Sequence, residues 1–221
     1  MRKARIFGLA LLALVAVSAV GATAASADEF TATSYPAVVT GVNEPGFPDE
    51  STTTSGAVKC TTTTYTGTIK EKSTTLTITP SFSGCTAFGF VATVEMNGCD
   101  YLFHINGTTS TTGTVDLVCP AGKEVTAVGK SGATVKCTSH TPAQTNLGTI
   151  TYSNIGVAGA TEEITVFGNI SGTKYTHTAG TGVGACTSGS GTTGTYKFKG
   201  TLTGEEEAPG TAHIGLTLSN A

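Results

Sequence analysis

Glu95, Asp100, His104 and Asp116 are the residues whose types and spacing could do chemistry, and they flank an Asn97-Gly98 pair. Asn-Gly is the preferred centre of a two-residue hairpin, because both residues tolerate a positive φ. A hairpin on that pair sets Met96 opposite Cys99 and Glu95 opposite Asp100, with His104 and Asp116 as diagonal neighbours one strand over. Like charges directly opposed on a sheet destabilise it, so the arrangement asks for a compensating cation or a use. Glu95, Asp100 and Asp116 are therefore the candidate metal ligands, and calcium, a hard cation that prefers oxygen, is the ion they would take. The plainer expectation is that the carboxylates splay into water and that the chain needs no cofactor. No catalytic residue is assigned.

Stepping outward along the same register, Val94 faces Tyr101, Ala92 faces Phe103 and Phe90 faces Ile105, an apolar set suited to a buried sheet face. A second hairpin through Gly107 to Thr112 sets Ile105 against Gly113, Phe103 against Val115, Tyr101 against Leu117 and Cys99 against Cys119. The expectation is a three-stranded meander over 87–96, 99–105 and 113–119, closed by a Cys99–Cys119 disulfide. Cys60 and Cys85 lie at nearly equal distances from a turn at Glu71 to Ser73 and could close that hairpin. That register puts them on the face of Thr62, Thr64, Thr66, Thr68, Thr75, Thr77, Thr79 and Ser81, whereas the apolar Tyr65, Ile69, Leu76, Ile78 and Phe82 lie on the other. A bulge or a different partner for these cysteines would remove the conflict. Elimination then joins Cys137 to Cys186, one of 15 connectivities open to six cysteines. Cysteine gaps of 25, 14, 20, 18 and 49 residues, with no C-x-x-C, argue for disulfides and against thiolate zinc.

Other motifs have ordinary explanations. Gly129-Lys130-Ser131 would end a phosphate loop, but Glu124 stands where that loop needs glycine. No G-x-S-x-G occurs. Parallel ranks of Thr-x-Thr could order water as on an ice-binding surface, yet the fixed short repeat of such solenoids is missing. Asn106-Gly107-Thr108 and Asn169-Ile170-Ser171 fit a glycosylation sequon, and Glu205-Glu206-Glu207 reads as a solvated loop.

The elements that must position these residues follow from composition. The chain of 221 residues opens with Arg2-Lys3-Ala4-Arg5, an apolar run Ile6 to Val20 and the small-residue site Ala25-Ser26-Ala27, the form of a secretory signal peptide over 1–27. Residues 28–221 are expected to form a single domain. Removing the signal takes Arg2, Lys3 and Arg5 from a chain already at −3, which disfavours nucleic acid as a partner. No later apolar run is long enough to span a membrane as a helix. With 45 Thr, 29 Gly and no Trp, the composition favours strands and turns over helices. Turn signals every 8 to 15 residues from Phe30 onward give an all-β fold, an antiparallel β-sandwich or barrel with disulfides and no substantial helix. Asn43 to Ser55 and Ala179 to Thr192 read as loops.

In its Ala-rich signal, its Thr and Gly bias, its Cys-Thr-Ser segments and the stretch Asn97-Gly98-Cys99-Asp100-Tyr101, the chain resembles a group of uncharacterised exported Thr/Gly-rich, cysteine-containing β proteins of actinobacteria. That resemblance implies no active residues. In composition alone the chain is also similar to the small antibiotic-carrying β-sandwiches of the same bacteria. The expected role is that of a secreted, extracellular or cell-surface protein with a non-enzymatic envelope, surface or binding function. The alternative is a carbohydrate-active enzyme or carbohydrate-binding module using the exposed Glu95 and Asp100 pair.

Overall fold

The computed structural model describes residues 28–107, 111–159, 161–206 and 212–219. The expected signal segment 1–27, Thr108 of the first sequon and Glu207 lie outside the described residues. The fold is all-β, with no helix among the described residues. Its strands are β1 (Glu29–Ala32), β2 (Ala37–Asn43), β3 (Asp49–Thr53), β4 (Gly56–Ile69), β5 (Thr75–Ala87), β6 (Phe90–Glu95), β7 (Asp100–Ile105) and β8 (Thr112–Val118). They continue as β9 (Glu124–Ser131), β10 (Thr134–Pro142), β11 (Thr149–Ile155), β12 (Glu163–Ala179), β13 (Gly189–Glu206), β14 (His213–Ile214) and β15 (Leu216–Ser219).

Every ladder is antiparallel, and the ladders return to their starting point. Four strands, β4, β5, β12 and β13, are 13 to 18 residues long and run the full height of the fold. The other sides are interrupted strands whose two parts follow one another end to end: β2 then β3, β6 then β7, β8 then β9, β10 then β11. One circuit runs β2-β4-β5-β7-β8-β11-β12-β13 and back to β2; the other runs β3-β4-β5-β6-β9-β10-β12-β13 and back to β3. The result is an eight-sided up-and-down barrel in two stacked halves, which leaves no side strand with an unpaired edge. β1 and β15 pair with each other and close the end of the first half, where Phe30 bridges to Ser73.

Hydrophobic patterning explains why both halves form along one strand. In β4 the inward residues are Val58 and Cys60, then Thr63, Tyr65 and Ile69; in β5 they are Leu76, Ile78 and Pro80, then Cys85 and Ala87. The inward parity changes in both strands at one level, Thr61-Thr62 opposite Ser83-Gly84, and the pairing register is the same on either side. Gly84 has φ +62°, and a Cβ there would meet the Thr61 hydroxyl at 2.2 Å, so glycine is required. This double switch removes the conflict between buried cysteines and an exposed Thr face. β12 changes parity at the same waist through Gly172 (φ +86°) and two register shifts, so Glu163–Ala179 is one bulged strand.

At the waist the interrupted strands leave backbone groups without ladder partners, and amide side chains supply them. Asn43 Nδ2 donates to the carbonyls of Phe47 and Thr61 while its Oδ1 accepts from Thr63 N. Gln144 Nε2 donates to the carbonyls of Pro142 and Lys174, and its Oε1 accepts from Lys174 N. Asn97 Nδ2 donates to the Glu124 carbonyl.

Three disulfides are present: Cys60–Cys85, Cys99–Cys119 and Cys137–Cys186. The expected Cys99–Cys119 pairing is found, the connectivity the sequence leaves open is Cys60–Cys85 with Cys137–Cys186, and β7 pairs with β8 in the expected register, Tyr101 opposite Leu117 and Phe103 opposite Val115. The first hairpin of the meander is not found. Asn97 and Gly98 do adopt positive φ (53° and 83°) and Cys99 N donates to Met96 O, but the strands on either side diverge onto one long neighbour. β5 pairs with β6 through Cys85–Ala87 and with β7 through Thr75–Ile78. A long strand paired along its whole edge, with β9 and β8 completing the ladders beyond, satisfies more backbone groups than an isolated hairpin. Three loop expectations also need correction: Asp49–Thr53 within 43–55 is β3, paired to β4 and β13; β13 already begins at Gly189; and Glu205 and Glu206 are its last two residues, opposite Val38 and Ala37 of β2.

Candidate functional site

The expected cation ligands do not come together. Thr126 stands opposite Glu95 and Val118 opposite Asp100, because the two carboxylates lie on different ladders. Asp100 accepts a hydrogen bond from Thr79 Oγ1. Asp116 and Asp100 are diagonal neighbours across β7 and β8, yet Asp116 is fully engaged: Oδ1 accepts from Asn146 N at 2.6 Å and Oδ2 meets His104 Nε2 at 3.1 Å. Among the described residues no group of three or more His, Cys, Asp or Glu gathers as a metal site.

The barrel interior holds a different constellation. The capped half is filled by large apolar residues, including Phe30, Leu76, Ile78, Phe103, Ile150, Tyr152, Ile164, Phe198 and Leu216. The far half turns small residues inward, Val58, Ala87 and Ala127, with Ala92 and Val94 beside them and Ser139 and Thr173 on other sides. Small inward residues around a barrel of fixed girth leave space. That space is a cavity of about 80 Å³ between waist and far half, with wall residues from all eight sides.

Asp49, the first residue of β3, is the charged residue of that wall and is 2% exposed. Its Oδ2 accepts hydrogen bonds from Tyr65 Oη at 2.9 Å and Tyr196 Oη at 3.2 Å. Its Oδ1 is buried without a hydrogen-bond partner, as is the neighbouring Thr63 hydroxyl. Among the described residues no Lys, Arg or His pairs with this carboxylate. Burial pushes the Asp49 pKa up to about 6, against the lowering effect of the surrounding hydroxyls of Tyr65, Thr63 and Tyr196. Burial first, and the negative Asp49 second, raise Tyr65 and Tyr196; Tyr101 is raised by burial, so all three phenols stay protonated and can donate. Tyr101 and Tyr196 line the cavity with ring centroids 5.8 Å apart in a stacked arrangement, and Phe198 continues the stack at 5.2 Å from Tyr196.

A serine and a histidine also meet, at the far end. Ser55 Oγ lies 2.9 Å from His177 Nδ1, and His177 packs edge-on to Phe88. Burial, with His140 nearby, lowers the His177 pKa and favours the neutral ring. Its Nε2 is buried with no partner. Among the described residues no third group orients the imidazole from its second nitrogen as in a catalytic triad, and the contact ties Ser55, in the turn before β4, to β12.

No family model matches the chain, and no curated protein or solved structure matches it either. The chemistry of the site therefore rests on its own geometry. Sequence reasoning missed Asp49 because Asp49-Glu50-Ser51-Thr52-Thr53 has no apolar alternation and follows Pro48. No local signal marks it.

Proposed function

We propose that this chain is a secreted, non-enzymatic binding protein of the extracellular space or cell surface, and that its ligand site is the cavity inside the barrel. The observation that carries the reading is a buried carboxylate, Asp49, set in the cavity wall beside stacked tyrosines, with no cationic side chain paired to it among the described residues. Closed barrels whose interiors are incompletely filled are suited to enclosing one small ligand, with a few polar groups fixing its orientation. Three disulfides fit an oxidising compartment, and no helix among the described residues is long and apolar enough to cross a membrane.

Carbohydrate chemistry on an exposed carboxylate pair needs Glu95 opposite Asp100, and the ladders separate them. A role as a component of the cell envelope is compatible with the same fold and needs no cavity. The two are distinguished by a thermal-shift screen of small polar and charged molecules, run in parallel on the native chain and on Ala127→Leu, which fills the cavity wall. A binding protein gives saturable stabilisation by at least one compound, lost in Ala127→Leu. Absence of any such compound from a broad screen counts against binding and for a structural role.

A further inference from the structure

We infer that the cavity takes a small organic cation, a primary ammonium or guanidinium group on a body of a few heavy atoms, seated on Asp49 and beside Tyr101 and Tyr196. This rests on the cavity being the binding site and goes on to name the class of its ligand.

Three features of the wall select that class. The first is charge. Asp49 is almost completely enclosed, its Oδ1 has no hydrogen-bond partner, and among the described residues no side-chain cation pairs with it. A buried carboxylate in that state is costly, and the cost is relieved by a cation that donates to the free oxygen. The second is the aromatic wall. Tyr101 and Tyr196 line the cavity beside Asp49, and aromatic walls of this kind tolerate an ammonium or guanidinium group better than an anion when water is excluded. The carboxylate itself repels an anion. The third is size. About 80 Å³ is roughly half the volume of a cavity known to enclose a benzene-sized ligand, which favours a body of a few heavy atoms over a sugar ring with its hydroxyls. A single carboxylate among hydroxyls is also a poor calcium site, since calcium takes six to eight oxygen ligands.

The titratable groups facing Asp49 are Tyr65 from β4, Tyr101 from β7 and Tyr196 from β13, all held neutral; Thr63, Ser51, Ser139 and Thr173 add only hydroxyls. Asp49 is therefore the group that charges the site, and binding should follow its ionisation.

The test is a titration of the secreted protein with ethylammonium and, separately, with ethanol of nearly the same size, at constant ionic strength. Tyrosine fluorescence is the readout, since the chain has no Trp. Saturable binding of ethylammonium at pH 8, at least tenfold tighter than ethanol and at least fivefold weaker at pH 5, is expected. Asp49→Asn should abolish the preference for the charged probe, and Ala127→Leu should abolish binding with Asp49 intact. If Asp49→Asn does not fold, Ala127→Leu decides alone: retained binding places the cation elsewhere and overturns the inference. Equal affinity for ethylammonium and ethanol, both lost in Ala127→Leu, overturns the cation class while leaving the binding reading standing. Saturable binding of sodium or potassium without ethylammonium likewise overturns it. No saturable response to either probe, with a blank thermal-shift screen, overturns both.

Discussion

The two halves of the barrel share four continuous strands and are held by different means. The capped half has a large apolar core, a two-stranded lid in β1 and β15, and no disulfide. The far half has a small apolar cluster around Val58, Ala87 and Ala127, a cavity and a buried carboxylate, and it contains Cys60–Cys85 and Cys137–Cys186, with Cys99–Cys119 at the waist. Loop 180–188 is fastened to β10 by Cys137–Cys186 and by hydrogen bonds from Gly180 N and Thr181 N to the carbonyls of Lys136 and Val135. Covalent bonds stand where apolar burial is thin. An interior kept open for a ligand cannot also supply a dense core, and a cross-link stabilises by restricting the unfolded chain, without filling space.

That division can be broken from either side. The largest effect is expected from Phe103→Ala in the capped half, a loss of about 3 to 5 kcal/mol in chemical denaturation, since a large aromatic is removed from a filled core. Next, replacing Cys60 and Cys85 together with Ala should cost about 2 to 4 kcal/mol. Hydrogen exchange should show the loss first in β3, β6 and β9, with β7 and β8 still protected. Uniform loss across both halves would refute the division of labour.

Asp49→Asn should sharpen the contrast by moving stability the other way. Asp49 holds its proton more tightly in the folded chain than in the unfolded one, so its contribution is most favourable below about pH 4 and declines as pH rises through about 6. The Asn variant retains an oxygen for Tyr65 and Tyr196 and removes the buried charge, so it should exceed the native chain by about 2 to 3 kcal/mol at pH 8. The gain should vanish at pH 4, and melting curves across that range would show it. The smallest effect is expected for Asp100→Asn on the outer surface, within about 0.5 kcal/mol, with millimolar calcium shifting neither melting temperature beyond ionic screening. A saturable calcium shift lost in that variant would restore the outer carboxylates as a site.

Several elements were legible in the chain itself. Cys99–Cys119 follows from the apolar alternation of β7 against β8, whereas the spacing of Cys60 and Cys85 about a turn allows their pairing without deciding it. The Asn97-Gly98 turn was legible in its dihedral angles and not in its consequence. A two-residue turn places Met96 and Cys99 on one face whether the flanking strands fold back on each other or continue in line along β5, so the same inward set satisfies both. Alternation cannot separate the two; only the length of β5 does.

What the sequence determined is the strand content, the Cys99–Cys119 link and the Thr-rich outward face, because these depend on local propensity and on spacing between neighbours along the chain. What only the tertiary structure decided is the closure of the barrel and everything that closure creates: the waist where inward parity changes, the amide side chains that serve its backbone, and the placement of Asp49 beside Tyr65, Tyr101 and Tyr196. Those residues come from β3, β4, β7 and β13, and no spacing along the chain relates them. They meet because the ladder must close upon itself, a condition on the whole chain that no segment of it contains.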